Sequence, residues 1–399
     1  MKGLFLSLPS YSVTKILLPV IREVVQNGHE MIYYNTEEFK PKEDDINWIF
    51  RSYPRDALIY YSTEVNRGEG FWELGEGLLN TAINLENFLT EEIGREKPDY
   101  IIYSHLACWG RFISSLSSLP SITLFTTFVL DKRIMLPFLK KLETERTDSF
   151  DNVKQLITLS RKLDQLISRF RLEEASYDIW DLFVNSGDLN LVFTLPDFQP
   201  EKNILNSSFH FFGYPDLERK TPIPVKERDR IYISMGTVFN GDREFYSECI
   251  TALSSINKHG KIVIGNQIDV SSFGVLPDKI ELLSYASQNE ELRYSSIFVS
   301  RGGMASIQEA ISAMTPLIII PAIPEQEMNA RIVEELGIGI KLSFSGFNSD
   351  SLQQAITRIS NDYKKYCLRM DYLRTKLLSR EYKKEACQLI NNHLKNRYQ

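Results

Sequence analysis

Short apolar runs rich in β-branched and aromatic residues alternate with longer stretches of helical periodicity along most of this chain. The first half carries the runs GLFLSL, EMIYY, DYIIY, SITLFT and LNLVFT, and the second half carries RIYISM, KIVIG, IELLSY, SIFVS and PLIIIP. Strands that are separated by helices pair in parallel, and the connecting helices cover both faces of the sheet. The pattern therefore predicts an α/β protein with doubly wound parallel sheets.

The chain is long enough for two such sheets. It has 399 residues, 43% of them hydrophobic, whereas a single core seldom grows past roughly 250 to 300 residues. The segment Gly213–Arg230 separates the two series of runs with three prolines and dense charge, which is typical of an exposed connector. We predict a first domain at 1–214, a linker at 215–229 and a second domain at 230–380. Residues 381–399 have the pattern of an amphipathic helix, which we expect to return to the first domain.

Composition argues against several kinds of partner. A net charge of −6 provides no basic field for a nucleic-acid backbone, so no nucleic-acid partner is expected. The four cysteines have neither CxxC spacing nor a zinc pattern with histidine, and they are interpreted as reduced thiols outside any metal site. The beginning of the sequence does not resemble a secretory signal, and no window approaches the roughly 18 to 20 apolar residues of a membrane span. We expect a cytoplasmic protein.

The segment Ser296–Ile340 carries the most informative motifs. A predicted strand runs into Arg301–Gly303 before a helix, and the next strand ends at Pro321 before a loop and the pair Glu325 and Gln326. Glycines at a junction between strand and helix let the backbone approach an anion, and the helix N-terminus offers unpaired N–H groups with a partial positive charge. On its own, such a junction is compatible either with phosphate binding or with tight packing of the strand against the helix.

This segment resembles the donor signature of the UDP-dependent glycosyltransferases, specifically the bacterial macrolide-type group with the GT-B fold. The family reads roughly His-Gly-Gly-Met-Asn-Ser-x-x-Glu-Ala and then Pro-x-x-x-Asp/Glu-Gln-x-x-Asn-Ala. This chain has RGGMASIQEA and PAIPEQEMNA, with Arg301 and Glu325 24 residues apart as in the family. YASQNEELRYSSIFVSR, YISMGTVF, GHEMIYYNTEEF and FTLPDFQP resemble further landmarks. The resemblance implies two doubly wound Rossmann-like domains that face a cleft.

The resemblance also implies how a nucleotide sugar, in this family a UDP-sugar, would be held. Tyr285 would stack on the nucleobase, Glu309 would accept hydrogen bonds from the ribose hydroxyls, and Gln288 matches the glutamine of the family segment. Glu325 and Gln326 would hold the sugar hydroxyls. The residues that would surround the diphosphate are Gly236, Thr237, Gly302, Gly303 and Ser306.

Arg301 takes the place of a family histidine that contacts the phosphates. An arginine is always charged and can donate two hydrogen bonds to one phosphate, so this exchange can retain the contact. Because a helix end and side chains serve the diphosphate in this family, neither a metal ion nor a cofactor is expected.

The chain departs from the family where the acceptor is activated. In the family, a histidine in the turn after the first strand takes the proton of the acceptor hydroxyl, and an aspartate after a later strand orients that histidine. Here the turn reads PSYSVTK, with Ser12 at the histidine position, or Tyr11 if the alignment shifts by one residue, and Ser104 at the aspartate position. His105 is the candidate for a replacement base, and the alternative is a histidine packed in the cleft wall.

Three functions follow from these observations. An active transferase would move a sugar with inversion to a small natural-product acceptor, using as base His105, a water molecule or the ionised acceptor itself. The second function is a non-catalytic protein that binds a sugar nucleotide or serves another enzyme. The third, a nucleotide-sugar epimerase, matches the donor motifs less closely. The acceptor pocket is expected around residues 60–85 and 131–180; the latter stretch has helical periodicity and forms either a wall of the cleft or a solvated helical pair.

Overall fold

The computed structural model describes residues 1–41, 48–58, 71–145, 152–170, 177, 179–217, 224, 227–236 and 241–398. These residues form two compact units. The first unit comprises the described residues up to Asp216 together with those from Glu381 onward, and the second comprises those from Leu217 to Arg380. Residues 218–223 and 225–226 of the predicted linker, and parts of the predicted acceptor regions 60–85 and 131–180, lie outside the described residues.

The first unit is built on a sheet of parallel strands in the order β3-β2-β1-β4-β5-β6-β7. The strands are β1 (Lys2–Leu6), β2 (Glu30–Asn35), β3 (Trp48–Ser52), β4 (Tyr100–Ser104), β5 (Ser121–Phe125), β6 (Leu189–Val192) and β7 (Phe209–Phe211). All the apolar runs of the first half contribute strands. The two edge strands, β3 and β7, lie outside these runs, because their residues are at most partly buried and each has no more than three consecutive apolar residues.

Helices surround this first sheet. They are α1 (Tyr11–Gln26), α2 (Phe71–Glu96), α3 (Cys108–Ser117), α4 (Lys132–Glu145), α5 (Asn152–Arg169) and the short α6 (Asp181–Val184). α4 and α5 lie in the stretch whose periodicity predicts helices. Glu92 on α2, only 4% exposed, accepts hydrogen bonds from Tyr34 on β2 (2.5 Å) and from Arg51 on β3 (2.6 Å). This carboxylate therefore ties the edge of the sheet to a covering helix.

The second unit repeats the plan with parallel strands in the order β10-β9-β8-β11-β12-β13. The strands are β8 (Arg230–Ser234), β9 (His259–Val263), β10 (Ile280–Leu283), β11 (Ser295–Ser300), β12 (Leu317–Ile319) and β13 (Gly339–Lys341). The helices are α7 (Arg243–Ser255), α8 (Gln288–Tyr294), α9 (Met304–Ala313), α10 (Pro324–Glu335), α11 (Ser349–Asn361) and α12 (Tyr363–Leu378). Both sheets are thus Rossmann-like, and the predicted fold class is confirmed.

The last helix, α13 (Tyr382–Tyr398), belongs to the first unit. Its apolar face, which includes Ala386, Ile390 and Leu394, is fully buried. Asn391 accepts a hydrogen bond from the His29 ring (2.7 Å), and the opposite ring nitrogen of His29 lies 2.7 Å from the Tyr100 hydroxyl. A chain of polar contacts therefore links α13 to the start of β2 and to β4.

Each sheet has one point where the chain reverses the direction in which it adds strands. In the first unit this point lies between β1 and β4, and in the second between β8 and β11. In doubly wound sheets, ligands bind beyond the carboxyl ends of the strands at such a switch point, because the loops on either side diverge there. The loops after these central strands are therefore the places to look for function.

The contact of α3 with β4 in the first unit can be tested with two glycines. At Gly110 on α3, a Cβ would lie 2.4 Å from the Tyr103 side chain, so Gly110→Ala is expected to lower the free energy of unfolding by about 1 to 3 kcal/mol. At Gly94 on α2, no atom lies within 4 Å of the added Cβ, so Gly94→Ala is expected to raise it by about 0.5 to 1 kcal/mol. Urea unfolding of both variants measures the difference, and changes of the same sign would contradict the close contact of α3 with β4.

Candidate functional site

The switch point of the second sheet brings two predicted donor loops side by side. Ser234 at the end of β8 and Ser300 at the end of β11 are direct partners in the parallel ladder. Gly236 follows the first strand in an exposed turn, and Arg301–Gly303 follows the second. Thr237 lies outside the described residues. The two loops thus leave neighbouring strands at the same edge of the sheet.

The glycine turn after β11 is constrained by its neighbours. Gly302 has a φ of +83°, and a Cβ there would lie 2.5 Å from Cγ2 of Ile319, so both backbone conformation and space demand glycine. Gly303 is the N-cap of α9; the first turn of this helix has neither a capping side chain nor an acidic residue. The backbone N–H groups at this helix start are suited to binding an anion.

Gln288, Ser306 and Glu309 form one hydrogen-bonded cluster. The side-chain amide of Gln288, the first residue of α8, donates to Oγ of Ser306 (3.0 Å) and to Oε2 of Glu309 (2.6 Å). Glu309 is 3% exposed and lies one turn after Ser306 on α9. Three residues that the sequence predicts for the donor site are therefore in contact. Tyr285, two residues after β10, is 76% exposed and presents a ring that is not part of the core.

The predicted sugar-binding pair lies in the first turn of α10. The Glu325 carboxylate accepts a hydrogen bond from Asn329 (2.8 Å), and the Gln326 side-chain oxygen accepts one from the Ala322 backbone (2.9 Å). Asn329 also donates to the carbonyl oxygen of Gly302 (2.9 Å). Sequence reasoning assigned no role to Asn329, although the motif PAIPEQEMNA contains it four residues after Glu325, one helical turn away.

Arg301 is not a surface cation. It is 7% exposed, and its guanidinium lies over the rings of Phe344 (4.6 Å) and Phe245 (5.7 Å). It also donates to the carbonyl of Ile320 (3.3 Å). Burial lowers the pKa of this guanidinium below its ordinary value. The two phenylalanines that hold the arginine were not identified from the sequence, because they lie 56 residues before and 43 residues after it.

In the first unit, Ser104 has a backbone partner. Its side chain is fully buried, and its Oγ accepts a hydrogen bond from the Leu8 N–H (2.9 Å) in the turn after β1. Ser12, in the first turn of α1, is exposed, and its Oγ lies 3.1 Å from Oγ of Ser10. Ser104, the residue predicted at the aspartate position, thus holds the turn after β1, and Ser12, a candidate for the histidine position, carries an exposed hydroxyl.

His105 is a packed side chain. It is 2% exposed and stacks on Phe125, with ring centroids 5.2 Å apart. Neither ring nitrogen has a hydrogen-bond partner among the described residues. Burial lowers the pKa of His105 to about 4, with a smaller opposing effect from the Leu124 backbone. A role as catalytic base would require this ring to leave its stack and reach the surface.

Comparison with known proteins supports the resemblance found in the sequence. Residues 254–382 match the model of the glycosyltransferase family 28 C-terminal domain. The chain is 28% identical to the uncharacterized UDP-glucosyltransferase YojK of Bacillus subtilis (strain 168), over 86% of this chain and 85% of the relative. It is 28% identical to the NDP-glycosyltransferase YjiC of the same organism, over 90% and 88%. The crystal structure of the glycotransferase of kitacinnamycin superposes with a TM-score of 0.83 at 23% identity, over 98% and 99%.

The chain has the GT-B fold. The resemblance to the UDP-dependent glycosyltransferases is confirmed, and the names of the relatives support a nucleotide-sugar-dependent glycosyltransferase. In the part of the glycosyltransferase that the structure describes, no three His, Cys, Asp or Glu side chains are grouped to hold a metal ion. None of the helices described above combines the length and apolar character of a membrane span.

The burial of His105 predicts a pH dependence of stability. The unfolded glycosyltransferase binds a proton at this histidine near pH 6.5, whereas the folded protein binds it only near pH 4. The unfolded state therefore holds more protons between these values, and the free energy of unfolding falls as the pH is lowered through them. Between pH 7 and 4.5 this one group is expected to cost about 2 to 3 kcal/mol.

Urea unfolding of wild type and His105→Gln at both pH values measures this effect. The variant should lose less stability on acidification than the wild type. His259→Gln, which replaces an exposed histidine on β9, is the matched control and should follow the wild type. Identical losses in the wild type and in His105→Gln would show that His105 is not buried in its neutral form.

Proposed function

We propose that this protein transfers a sugar from a UDP-sugar, or another nucleotide sugar, to a small natural-product acceptor with inversion, and that it does so without the His-Asp dyad. The observation that carries the proposal is the cluster at the carboxyl edge of the second sheet. There, the exposed ring of Tyr285 lies three residues before Gln288, which belongs to the hydrogen-bonded trio Gln288, Ser306 and Glu309. The names of two relatives, a UDP-glucosyltransferase and an NDP-glycosyltransferase, support the same donor class.

Each part of the cluster has a role in binding the donor. Tyr285 stacks on the base, and the buried carboxylate of Glu309 accepts hydrogen bonds from the ribose hydroxyls in exchange for, or in addition to, the one from Gln288. The diphosphate lies against the start of α9, where N–H groups stabilise the negative charge that grows on the leaving group. Glu325 and Gln326 bind the sugar hydroxyls.

Without a His-Asp dyad to deprotonate it, the acceptor must become a nucleophile in another way. Ser104 accepts a hydrogen bond from Leu8, and His105 is buried with a low pKa. A serine hydroxyl is also a poor base at neutral pH. We infer that the acceptor is already ionised, as a carboxylate, an acidic phenol or a phosphate would be. Its oxygen then attacks the anomeric carbon while the bond from that carbon to the diphosphate breaks, which inverts the configuration and releases the nucleoside diphosphate.

The second candidate function is a non-catalytic protein that binds a sugar nucleotide or serves as partner to another enzyme. It is favoured by one observation, the occupation of both dyad positions by serine with Ser104 engaged by the backbone. A protein with this function would bind a UDP-sugar and transfer it to no acceptor. A screen of ionisable acceptors distinguishes it from the transferase.

The role of Tyr285 predicts a loss of nucleotide affinity on truncation. Stacking of a base on an aromatic ring contributes about 1 to 3 kcal/mol, so Tyr285→Ala should weaken UDP binding by roughly 5- to 150-fold. Tyr285→Phe should retain it, and neither change should alter the melting temperature, because the ring is exposed. Calorimetric titration with UDP measures the affinity. Tyr372→Ala removes another exposed tyrosine of the same unit, on α12, and is the control; equal effects of the two alanine variants would contradict the stacking role.

If the acceptor reacts in its ionised form, the enzyme should prefer acidic acceptors. The wild type should glycosylate carboxylates and acidic phenols at least about 100-fold faster than aliphatic alcohols, because general-base catalysis contributes roughly 10² to 10⁴ to the reaction of a neutral hydroxyl. The double variant Ser12→His, Ser104→Asp rebuilds the dyad and should raise the rate on alcohols more than on carboxylates. Release of UDP on a panel of matched acceptors measures both ratios.

The single variants Ser12→His and Ser104→Asp are the controls for the rebuilt dyad. Each alone lacks one partner and should gain much less on alcohols than the double variant. Wild-type rates that do not depend on acceptor acidity would contradict the ionised-acceptor mechanism. Tight binding of UDP-sugar with no turnover on any acceptor would favour the non-catalytic function instead.

A further inference from the structure

Asn329 connects two parts of the predicted donor site that are distant in sequence. This residue of α10 is fully buried. Its amide nitrogen donates to the carbonyl oxygen of Gly302 (2.9 Å), in the turn after β11, and to Oε1 of Glu325 (2.8 Å), in the first turn of its own helix. Both neighbours are acceptors, so the side-chain amide has only one orientation that satisfies them.

The contact with Gly302 sets the direction of a backbone donor. A peptide unit is planar and trans, so the carbonyl of Gly302 and the N–H of Gly303 point in opposite directions from the same plane. Fixing the carbonyl therefore fixes the N–H of Gly303, the N-cap of α9. The turn has little freedom of its own, because Gly302 is held at a φ of +83° against Ile319. Asn329 thus restrains the backbone at the start of α9, where the diphosphate is proposed to bind.

The contact with Glu325 restrains a flexible carboxylate. A free glutamate side chain samples many rotamers, and a hydrogen bond from a buried, fixed donor reduces that number before any ligand binds. Glu325 and Asn329 are four residues apart on α10, so they lie on the same face of the helix. Since one amide binds both groups, a displacement of Asn329 would disturb the glycine turn and the carboxylate together.

We propose that Asn329 is a positioning residue. It fixes the sugar-binding carboxylate of Glu325 relative to the diphosphate-binding turn at Gly302. It contacts neither the nucleotide nor the sugar in this scheme and acts only through Gly302 and Glu325. The inference rests on the proposed function, because it assigns the donor sugar to Glu325. Its consequence is that recognition of the sugar depends on Asn329 more strongly than recognition of UDP does.

The experiment compares UDP, UDP-glucose and UDP-galactose on wild type, Asn329→Ala and Asn329→Asp, by calorimetric titration and by single-turnover transfer. UDP lacks the sugar, and the two sugars differ only in the configuration of one hydroxyl. We expect both variants to lose at least 10-fold in affinity for the preferred UDP-sugar and about 3-fold or less for UDP. The preference between the two sugars should narrow, and kcat should fall while KM for the acceptor stays the same.

A double-mutant cycle with Glu325→Ala separates positioning from packing. If Asn329 acts on the sugar through Glu325, Asn329→Ala should not further change the ratio of UDP-sugar to UDP affinity once Glu325 is truncated. The matched control is Arg331→Ala, which breaks a contact with Glu327 (3.1 Å) at the same spacing on the same helix and should leave the ratio unchanged. If Asn329→Ala fails to fold, Asn329→Asp retains the side-chain volume and provides the same comparison.

The possible outcomes are distinct. Equal losses for UDP and UDP-sugar in the Asn329 variants, or an undiminished effect in the Glu325→Ala background, would overturn the inference and leave Asn329 a packing residue. A wild type that binds UDP but not UDP-sugar, or neither, would overturn the proposed function before any variant is made. A sugar-selective loss that disappears in the Glu325→Ala background supports the inference.

Discussion

In each unit, the rest of the structure depends on the parallel pairing of two central strands. β1 pairs with β4, and β8 pairs with β11, and from each pair the chain adds strands outward in both directions. The two loops that leave the carboxyl ends of such a pair diverge, so the backbone groups between them are not covered by a crossover helix. The residues proposed for function lie at or beyond the carboxyl ends of these central strands, of β12, which neighbours β11, or of β10 at the edge of the second sheet.

The two switch points are used in different ways. In the second unit the loops present a helix start without a capping side chain, an exposed aromatic ring and carboxylates that accept hydrogen bonds from side-chain amides. In the first unit the loops after β1 and β4 are joined by a hydrogen bond within the protein, which the Leu8 N–H donates to Oγ of Ser104. The aspartate that the resemblance predicts at that position could accept the same bond, whereas Ser104 accepts it without the negative charge that would stabilise an imidazolium.

The buried cation of the second unit illustrates how packing changes the character of a residue. Arg301 is charged by its chemistry, yet it lies among Phe245, Phe344 and the carbonyl of Ile320. A guanidinium tolerates such a position better than an ammonium, because it is weakly hydrated and its flat faces stack on aromatic rings. By contrast, burial against the Phe125 ring of β5 favours the neutral form of His105 and lowers its pKa.

The sequence by itself determined the α/β class, the ten strands with continuous apolar runs and the motifs of the donor side, because strands that are buried on both faces must be apolar along their whole length. The ten runs leave out β3, β7 and β13, at the edges of the two sheets, since short or half-buried edge strands carry only short apolar runs. Only the tertiary structure decided that His105 is buried, that Ser104 accepts a hydrogen bond from the backbone, and that Asn329 donates to both Gly302 and Glu325. The physical reason is that burial, pKa and hydrogen-bond partners depend on which distant segments lie against a side chain, and local sequence does not contain that information.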